Sequence, residues 1–251
     1  MTIEAVVLTS NERANLPDCL RSLLWADAIM VFDSGSWDGT QDIARDLGAR
    51  VVEHPFEDFA SQRSAALEAA KGDWVFFVDA DERCPPELAA EIRRAVEGAP
   101  AGWWVPRDNY LFGRLTRYAG WYPDYQLRLL RRGRARYDPR RPVHETVLLD
   151  GEQAWLKHSL VHYNYASVWQ FMAKQGRYAH LEAGALGRQG VPRRVRTLLS
   201  RPAREFWRRF VQLEGYRMGG HGLLLSVLTA YYSLAAYWLY LRMPEDAAPG
   251  R

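Results

Sequence analysis

The sequence predicts an α/β fold, a mostly parallel central sheet flanked by helices, with a helical extension at the C-terminus. Short apolar runs alternate with segments of helical period through residue 78, the pattern of a doubly wound sheet. The run Trp74-Val75-Phe76-Phe77-Val78 reads as a strand buried on both faces, and it stops abruptly at Asp79, Asp81 and Glu82. Packing gives no reason for acids there, whereas the carboxyl edge of a parallel sheet is where open α/β folds bind ligands. After about residue 190 the chain turns arginine-rich and then almost wholly apolar, which sets the extension apart.

The first strand is Ile3 to Leu8, followed by the turn Thr9-Ser10-Asn11-Glu12. A helix over residues 15–24 places Leu16, Leu20, Leu23 and Leu24 on one face. Ala28 to Phe32 is the second strand and ends in Asp33-Ser34-Gly35-Ser36-Trp37-Asp38-Gly39-Thr40; a helix over 41–47 closes at Gly48. Residues 51–53 form a third strand, 59–70 a helix and 74–78 the fourth strand. Pro85-Pro86 opens a helix over 87–97, since proline is tolerated in a first turn. Short strands over 102–106, 125–130 and 146–149, with 156–165 completing them, extend the sheet in a mixed or antiparallel way, and 168–186 is a helix. Residues 192–217 form one or two basic amphipathic helices, Gly219-Gly220 breaks them, and 222–241 is a borderline length for a membrane span.

Composition narrows the classes. Ten Trp and 13 Tyr favour a stacked ligand site or an interfacial surface. A formal charge of +3 is too small to argue for nucleic acid, no recognition module is present, and the acidic motif repels a phosphate backbone, so nucleic acid is not expected as a partner. Cys19 and Cys84 form no metal-like cluster and point to a reducing compartment, and Glu4 interrupts any secretory leader, so the expected location is cytoplasmic. His158 and His162 read as ordinary packing or hydrogen-bonding histidines. The basic stretch followed by the apolar one argues for a protein lying on an anionic membrane surface; the plainer reading is a helical hairpin packed on the rest of the chain or on a second subunit.

Asp79 and Asp81, on a turn after a strand, can converge on a hard cation, magnesium or manganese, shared with substrate phosphates. The plainer reading is a pair of solvated turn acids, with Glu82 capping the following helix. A dinucleotide site needs a glycine-rich turn after the first strand, and Thr9-Ser10-Asn11-Glu12 has no glycine. A nucleotide is therefore expected to be held by acids and a metal, with Asp33 at the tip of the second strand contributing.

Residues 1 to about 190 resemble a family 2 glycosyltransferase with the GT-A fold, and more narrowly the lipopolysaccharide core β-glucosyltransferase group. The resemblance rests on Thr9-Ser10-Asn11-Glu12, the Asp33-Ser34-Gly35-Ser36 turn with Asp38, Asp79-Ala80-Asp81-Glu82, Gly120-Trp121-Tyr122-Pro123-Asp124-Tyr125 leading to Arg128-Leu129, and Val143-His144-Glu145. It implies a catalytic domain over 1–190, with a nucleotide-sugar-binding half over 1–100 and an acceptor half over 101–165, and a membrane-associating extension over 191–251. It implies that Thr9, Glu12 and Asp33 hold the nucleoside, Asp79 contacts the ribose or diphosphate, and Asp81 ligates the metal, with His144 added to the metal or diphosphate shell. Asp124 falls at the acceptor-side base, Glu145 is its rival, and Arg128 neutralises the leaving diphosphate or orders that loop. Gln62 and Arg63 approach the diphosphate or are ordinary helix-surface residues. Trp37 and Ser64 depart from the family's usual threonine and asparagine, which leaves donor choice less fixed than fold.

The resemblance thus implies a metal-dependent, inverting hexosyltransferase. Its donor would be a nucleoside-diphosphate sugar, UDP-glucose or another UDP-hexose, and its acceptor a lipopolysaccharide-core-like, lipid-linked or other saccharide at the inner face of the cell membrane. In such a transfer a carboxylate takes the proton of the attacking hydroxyl while cations meet the charge growing on the leaving phosphate. The arginines between 128 and 141 fit a phosphorylated lipid or saccharide, or anionic headgroups. The competing classes are a nucleotidyltransferase, which releases pyrophosphate, and a catalytically silent, membrane-associated sugar-binding protein.

Overall fold

The computed structural model describes residues 1–138 and 146–244, apart from the side chain of Arg177. The chain divides into two compact units, one made of Met1–Asp108 and Asp124–Tyr163, the other of Asn109–Pro123 and Asn164–Arg251.

The first unit is built on β1 (Ile3–Thr9), β2 (Ala28–Asp33), β3 (Arg50–Glu53) and β4 (Trp74–Asp79), all parallel, in the order β3-β2-β1-β4. Helices α1 (Leu16–Ser22), α2 (Thr40–Asp46) and α3 (Phe59–Ala69) connect them. Alternation along the strands decides the layers. Ile3, Ala5, Val7, Trp74, Phe76 and Val78 join Leu16 and Leu20 of α1 and Leu88 and Ile92 of α4 (Pro86–Ala95). Val6, Phe32, Val75 and Phe77 join Ala66 and Leu67 of α3 in a second apolar cluster. A strand covered on both faces reads as a near-continuous apolar run, as residues 74–78 do.

Beyond β4 the sheet turns antiparallel, as a mixed GT-A-type sheet requires. Strand β8 (Tyr125–Arg131) pairs with β4, then β6 (Gly102–Leu111) pairs with β8, then β12 (Leu160–Tyr165) and β5 (Glu82–Arg83) follow. Strand β11 (Gln153–Trp155) lies parallel to the start of β6, and β9 (Ala135–Tyr137) and β10 (Val147–Leu149) form a separate two-stranded ribbon. The last strand is shorter than the expected 156–165. Glu91 of α4 accepts the backbone N–H groups of Lys157 and His158 and draws them out of the ladder.

One buried acid in β1 belongs to the scaffold. Glu4 pairs with Arg50 at 2.9 Å and accepts the backbone N–H groups of Lys71 and Gly72. Burial opposes its ionisation, but Arg50 and those N–H groups outweigh this and hold the carboxyl below its ordinary range. Gly72 permits the approach, because a Cβ there would lie 2.8 Å from the Glu4 nitrogen.

In the second unit, the end of β6 and β7 (Arg114–Leu115) form a tight hairpin whose corner residues Phe112 and Gly113 both have positive φ, the primed geometry that matches strand twist. Helix α5 (Val168–Arg188), capped by Ser167, precedes α6 (Thr197–Trp207), a π-helical turn over Arg208–Gln212, a 3-10 turn over Gly215–Met218, and α7 (Gly220–Arg242). The expected helical basic stretch thus forms a single regular helix and two irregular turns. The chain reverses at Glu214, in the left-handed region, and crosses itself where a Cβ on Gly222 would lie 1.8 Å from the Gly215 carbonyl oxygen. By length and composition α7 is apolar enough to cross a membrane, and a third of that stretch is buried against the rest of the protein.

Candidate active site

The carboxyl ends of β1, β2 and β4 lie side by side in register, Thr9 opposite Asp33 and Leu8 opposite Asp79. Two polar constellations form there, both inside the first unit.

The first is centred on Asp33, which is fully buried. Its Oδ2 accepts the hydroxyls of Thr9 at 2.8 Å and Ser36 at 2.5 Å; its Oδ1 accepts the Ser36 backbone N–H at 2.7 Å and the Gln41 side-chain amide at 2.8 Å. Burial pushes this carboxyl up, and the Ser36, Gln41 and Thr9 donors together hold it below the usual carboxylate range. Asp33 therefore organises the turn after β2 as well as standing where a nucleoside is expected. Asn11, at φ 57°, donates its N–H to Ser36 and accepts that of Trp37, while Glu12 donates its N–H to Thr40 and accepts the Asn15 amide. The turns after β1 and β2 are thereby tied into one rim. Gln62 of α3 is buried and extends it, donating to Ser34 Oγ at 2.8 Å and meeting His54 Nδ1 at 3.0 Å.

The second constellation is a chain of alternating charges. Arg63 Nη2 donates to Asp79 Oδ1 at 3.1 Å, and Arg128 grips both Asp79 oxygens. Arg128 Nη2 also reaches Glu82 Oε1 at 3.1 Å, and Arg107 Nη1 reaches the same oxygen at 3.3 Å. Arg107 continues to Asp124, with Nε at 2.9 Å and Nη2 at 2.7 Å from Oδ2, and Gln126 donates to Oδ1 at 2.9 Å. Burial opposes ionisation of Asp79, yet Arg128 and Arg63 hold it well below the usual range; Arg128 is correspondingly raised by Asp79 and Glu82 against its own burial. Three guanidiniums against three carboxylates make this chain charge-balanced.

The geometry corrects the expected metal site. Among the described residues no group of three or more His, Cys, Asp or Glu side chains is placed to hold a metal ion. The Asp79 oxygens are taken by Arg128 and Arg63. Asp81 lies instead beside His162, 3.5 Å from its Nε2, on the β5-β12 ladder. The donor set at the Asp79-x-Asp81 motif does not fit magnesium or manganese, which corrects the expected metal dependence. His144 and Glu145, expected as metal-shell histidine and rival base, lie outside the described residues.

Of the other expected residues, Thr9, Glu12, Asp33 and Gln62 share the rim at the ends of β1 and β2, and Arg63, Asp79, Arg128 and Asp124 share the charge chain. Arg63 and Arg128 are both buried, so neither is an ordinary surface residue. Sequence reasoning missed Arg107 and gave Glu82 only a capping role, although Glu82 is fully buried and accepts the Asp79 N–H at 2.8 Å. The available signal was Arg128 itself, flanked by Leu127, Leu129 and Leu130, since an arginine in an apolar strand must find a carboxylate. Cys19 and Cys84 are free and buried, and burial pushes the Cys84 thiol up to about 12, so neither offers a thiolate nucleophile near neutrality.

The model of glycosyl transferase family 2 matches residues 4–146. The lipopolysaccharide core biosynthesis glycosyltransferase LpsC of Rhizobium meliloti (strain 1021) is 31% identical over 264 residues, covering 99% of this chain and 96% of that protein. An uncharacterized glycosyltransferase of Rickettsia conorii (strain Malish 7) is 25% identical, covering 91% of this chain and 86% of its own length. Among solved structures, a glucosyl-3-phosphoglycerate synthase of Mycobacterium tuberculosis is 21% identical over 76% of this chain and 81% of that one, at a TM-score of 0.46. With the family match spanning more than half of the sequence and a relative above 30% identity along nearly its whole length, the chain belongs to glycosyl transferase family 2.

Proposed function

We propose that the chain transfers a hexosyl group from a nucleoside-diphosphate sugar, a UDP-hexose in the first instance, to a saccharide acceptor of the lipopolysaccharide-core type. The observation that carries the reading is the similarity along almost the full length to a lipopolysaccharide core glycosyltransferase. In this reading the rim of Thr9, Glu12, Asp33 and Gln62 receives the nucleoside end of the donor. Arg63, Arg128 and Asp79 border its diphosphate, and Asp124 takes the proton of the attacking acceptor hydroxyl. Arg107 and Gln126 hold the Asp124 carboxylate in one orientation.

The location that goes with this reading is the cytoplasmic face of the cell membrane. The apolar length of α7 supports membrane association, and two free buried cysteines suit a reducing compartment. Acceptor-dependent release of nucleoside diphosphate, measured across UDP-, GDP- and ADP-sugars with a core oligosaccharide present, tests the activity. Release with at least one UDP-sugar is the expected result; release of pyrophosphate from a nucleoside triphosphate alone would replace this reading with nucleotidyl transfer.

A further inference from the structure

The second unit carries an exposed face that the sugar chemistry does not use. Along α6 and the turn before it, Val195, Leu199, Ala203 and Trp207 recur every four residues and all face solvent. Val195, Leu199 and Trp207 are 77%, 80% and 57% exposed; one exposed apolar side chain is ordinary, whereas a contiguous row of them marks an interaction surface. Arg196, Ser200, Arg204 and Arg208 repeat at the same spacing one position on, and all are exposed. Arg208 is paired with Glu205 at 3.1 Å. An open groove of about 490 Å³, lined by Ala203, Arg204, Trp207, Arg208 and Gln212, lies over the π-helical turn where the two stripes meet. Residues 191–217 hold eight arginines against two glutamates, so the face is strongly cationic.

Helix α7, long enough to span, is placed badly to do so. Arg201 donates from Nε to Ser233 Oγ at 3.2 Å and pairs through Nη2 with Glu182 of α5 at 2.8 Å. At 1.5 Å per residue, Ser233 lies roughly 20 Å from one end of α7 and roughly 14 Å from the other. A spanning α7 would carry this charged pair near the middle of the hydrocarbon, where ionised side chains are costly. Further along, Tyr237 and Tyr240 spend their hydroxyls on the backbone of Val191, Pro192 and Arg194, which fastens α7 to the loop before α6.

We infer that this unit docks in the plane of an anionic lipid surface through α6, with Val195, Leu199 and Trp207 entering the headgroup boundary and Arg196, Arg204 and Arg208 meeting lipid phosphates, while α7 buttresses the docked face instead of crossing the bilayer. The occupant follows from charge: a row of arginines beside a row of exposed apolar groups complements an anionic interface and not a neutral one. The inference rests on the membrane association proposed above and specifies its surface and mode.

Co-sedimentation of the full chain with phosphatidylcholine vesicles, with and without phosphatidylglycerol, tests it. Binding should require phosphatidylglycerol and weaken as salt rises. The pair Leu199→Glu and Trp207→Glu should weaken binding by about tenfold or more, the loss expected for one leucine-sized burial, with melting temperature and diphosphate release unchanged. Undiminished binding by this variant, equal binding to neutral vesicles, or resistance of bound protein to alkaline extraction would each overturn docking through α6. So would conversion of a wild-type dimer to monomer by the variant with lipid binding intact, which would make the stripe a contact between copies. Failure of the wild-type chain to bind any vesicle would remove the membrane reading itself, an outcome distinct from those above.

Discussion

Replacing Asp124 by asparagine should reduce acceptor-dependent sugar transfer by roughly 10²–10⁴-fold, the span that a positioned general base contributes, while donor binding stays near that of the parent protein. The reasoning lies in how the side chain is held. Arg107 places two contacts on Oδ2 and Gln126 one on Oδ1, so the carboxylate is fixed in orientation by groups on β6 and β8. Asparagine keeps an oxygen for Arg107 and loses the capacity to take a proton. A kcat fall with little change in donor affinity is the expected signature, read from steady-state kinetics together with calorimetric titration of the donor. Near-normal turnover by the asparagine variant would transfer the role to another carboxylate, Glu145 first.

The largest stability effect should come from Glu82. Its side chain is fully buried, accepts from Arg128 and Arg107, and satisfies the backbone N–H of Asp79. Alanine leaves a buried guanidinium with one carboxylate instead of two and strands a backbone donor, which should cost about 3 kcal/mol in denaturant unfolding. Glutamine fills the same space and can still accept the Asp79 N–H, so it should cost clearly less. Loss of the Glu82 charge also releases one end of Arg107, and the alanine variant should therefore transfer sugar poorly even where it is folded. An alanine variant within about 0.5 kcal/mol of the parent would mean that the charge chain is not a structural unit.

What could be read from the sequence follows from what leaves a local trace. Strands β1, β2 and β4 were legible because burial on both faces favours near-continuous apolar runs, and the acids ending β2 and β4 marked the edge where the donor is proposed to sit. Strands β5, β7, β9 and β11 have two or three residues each and are too short to show a period. The antiparallel extension was legible only in outline, since Pro106 and the turns around it hide that β6 runs on to Leu111. The rim around Asp33 was visible as a string of small hydroxyl residues and acids in one turn. The metal expectation failed for a different reason: a sequence shows residue types, not partners. Asp79 looks like a ligand in the row Asp79-Ala80-Asp81-Glu82, but guanidiniums 16 and 49 residues away in the chain claim it. Nothing local to Asp79 announces Arg63 or Arg128, and Arg107 carries no motif of its own.

The claim on which the rest depends is that the donor sits across the carboxyl ends of β1, β2 and β4. Amide hydrogen exchange of the full chain with and without a saturating UDP-sugar locates it without reference to turnover. Slowed exchange is expected in Thr9–Glu12, in Asp33–Thr40 and in Asp79–Glu82, with α5 and α7 unaffected. Slowing confined to α5, α6 and α7, with those three turns unchanged, would contradict it.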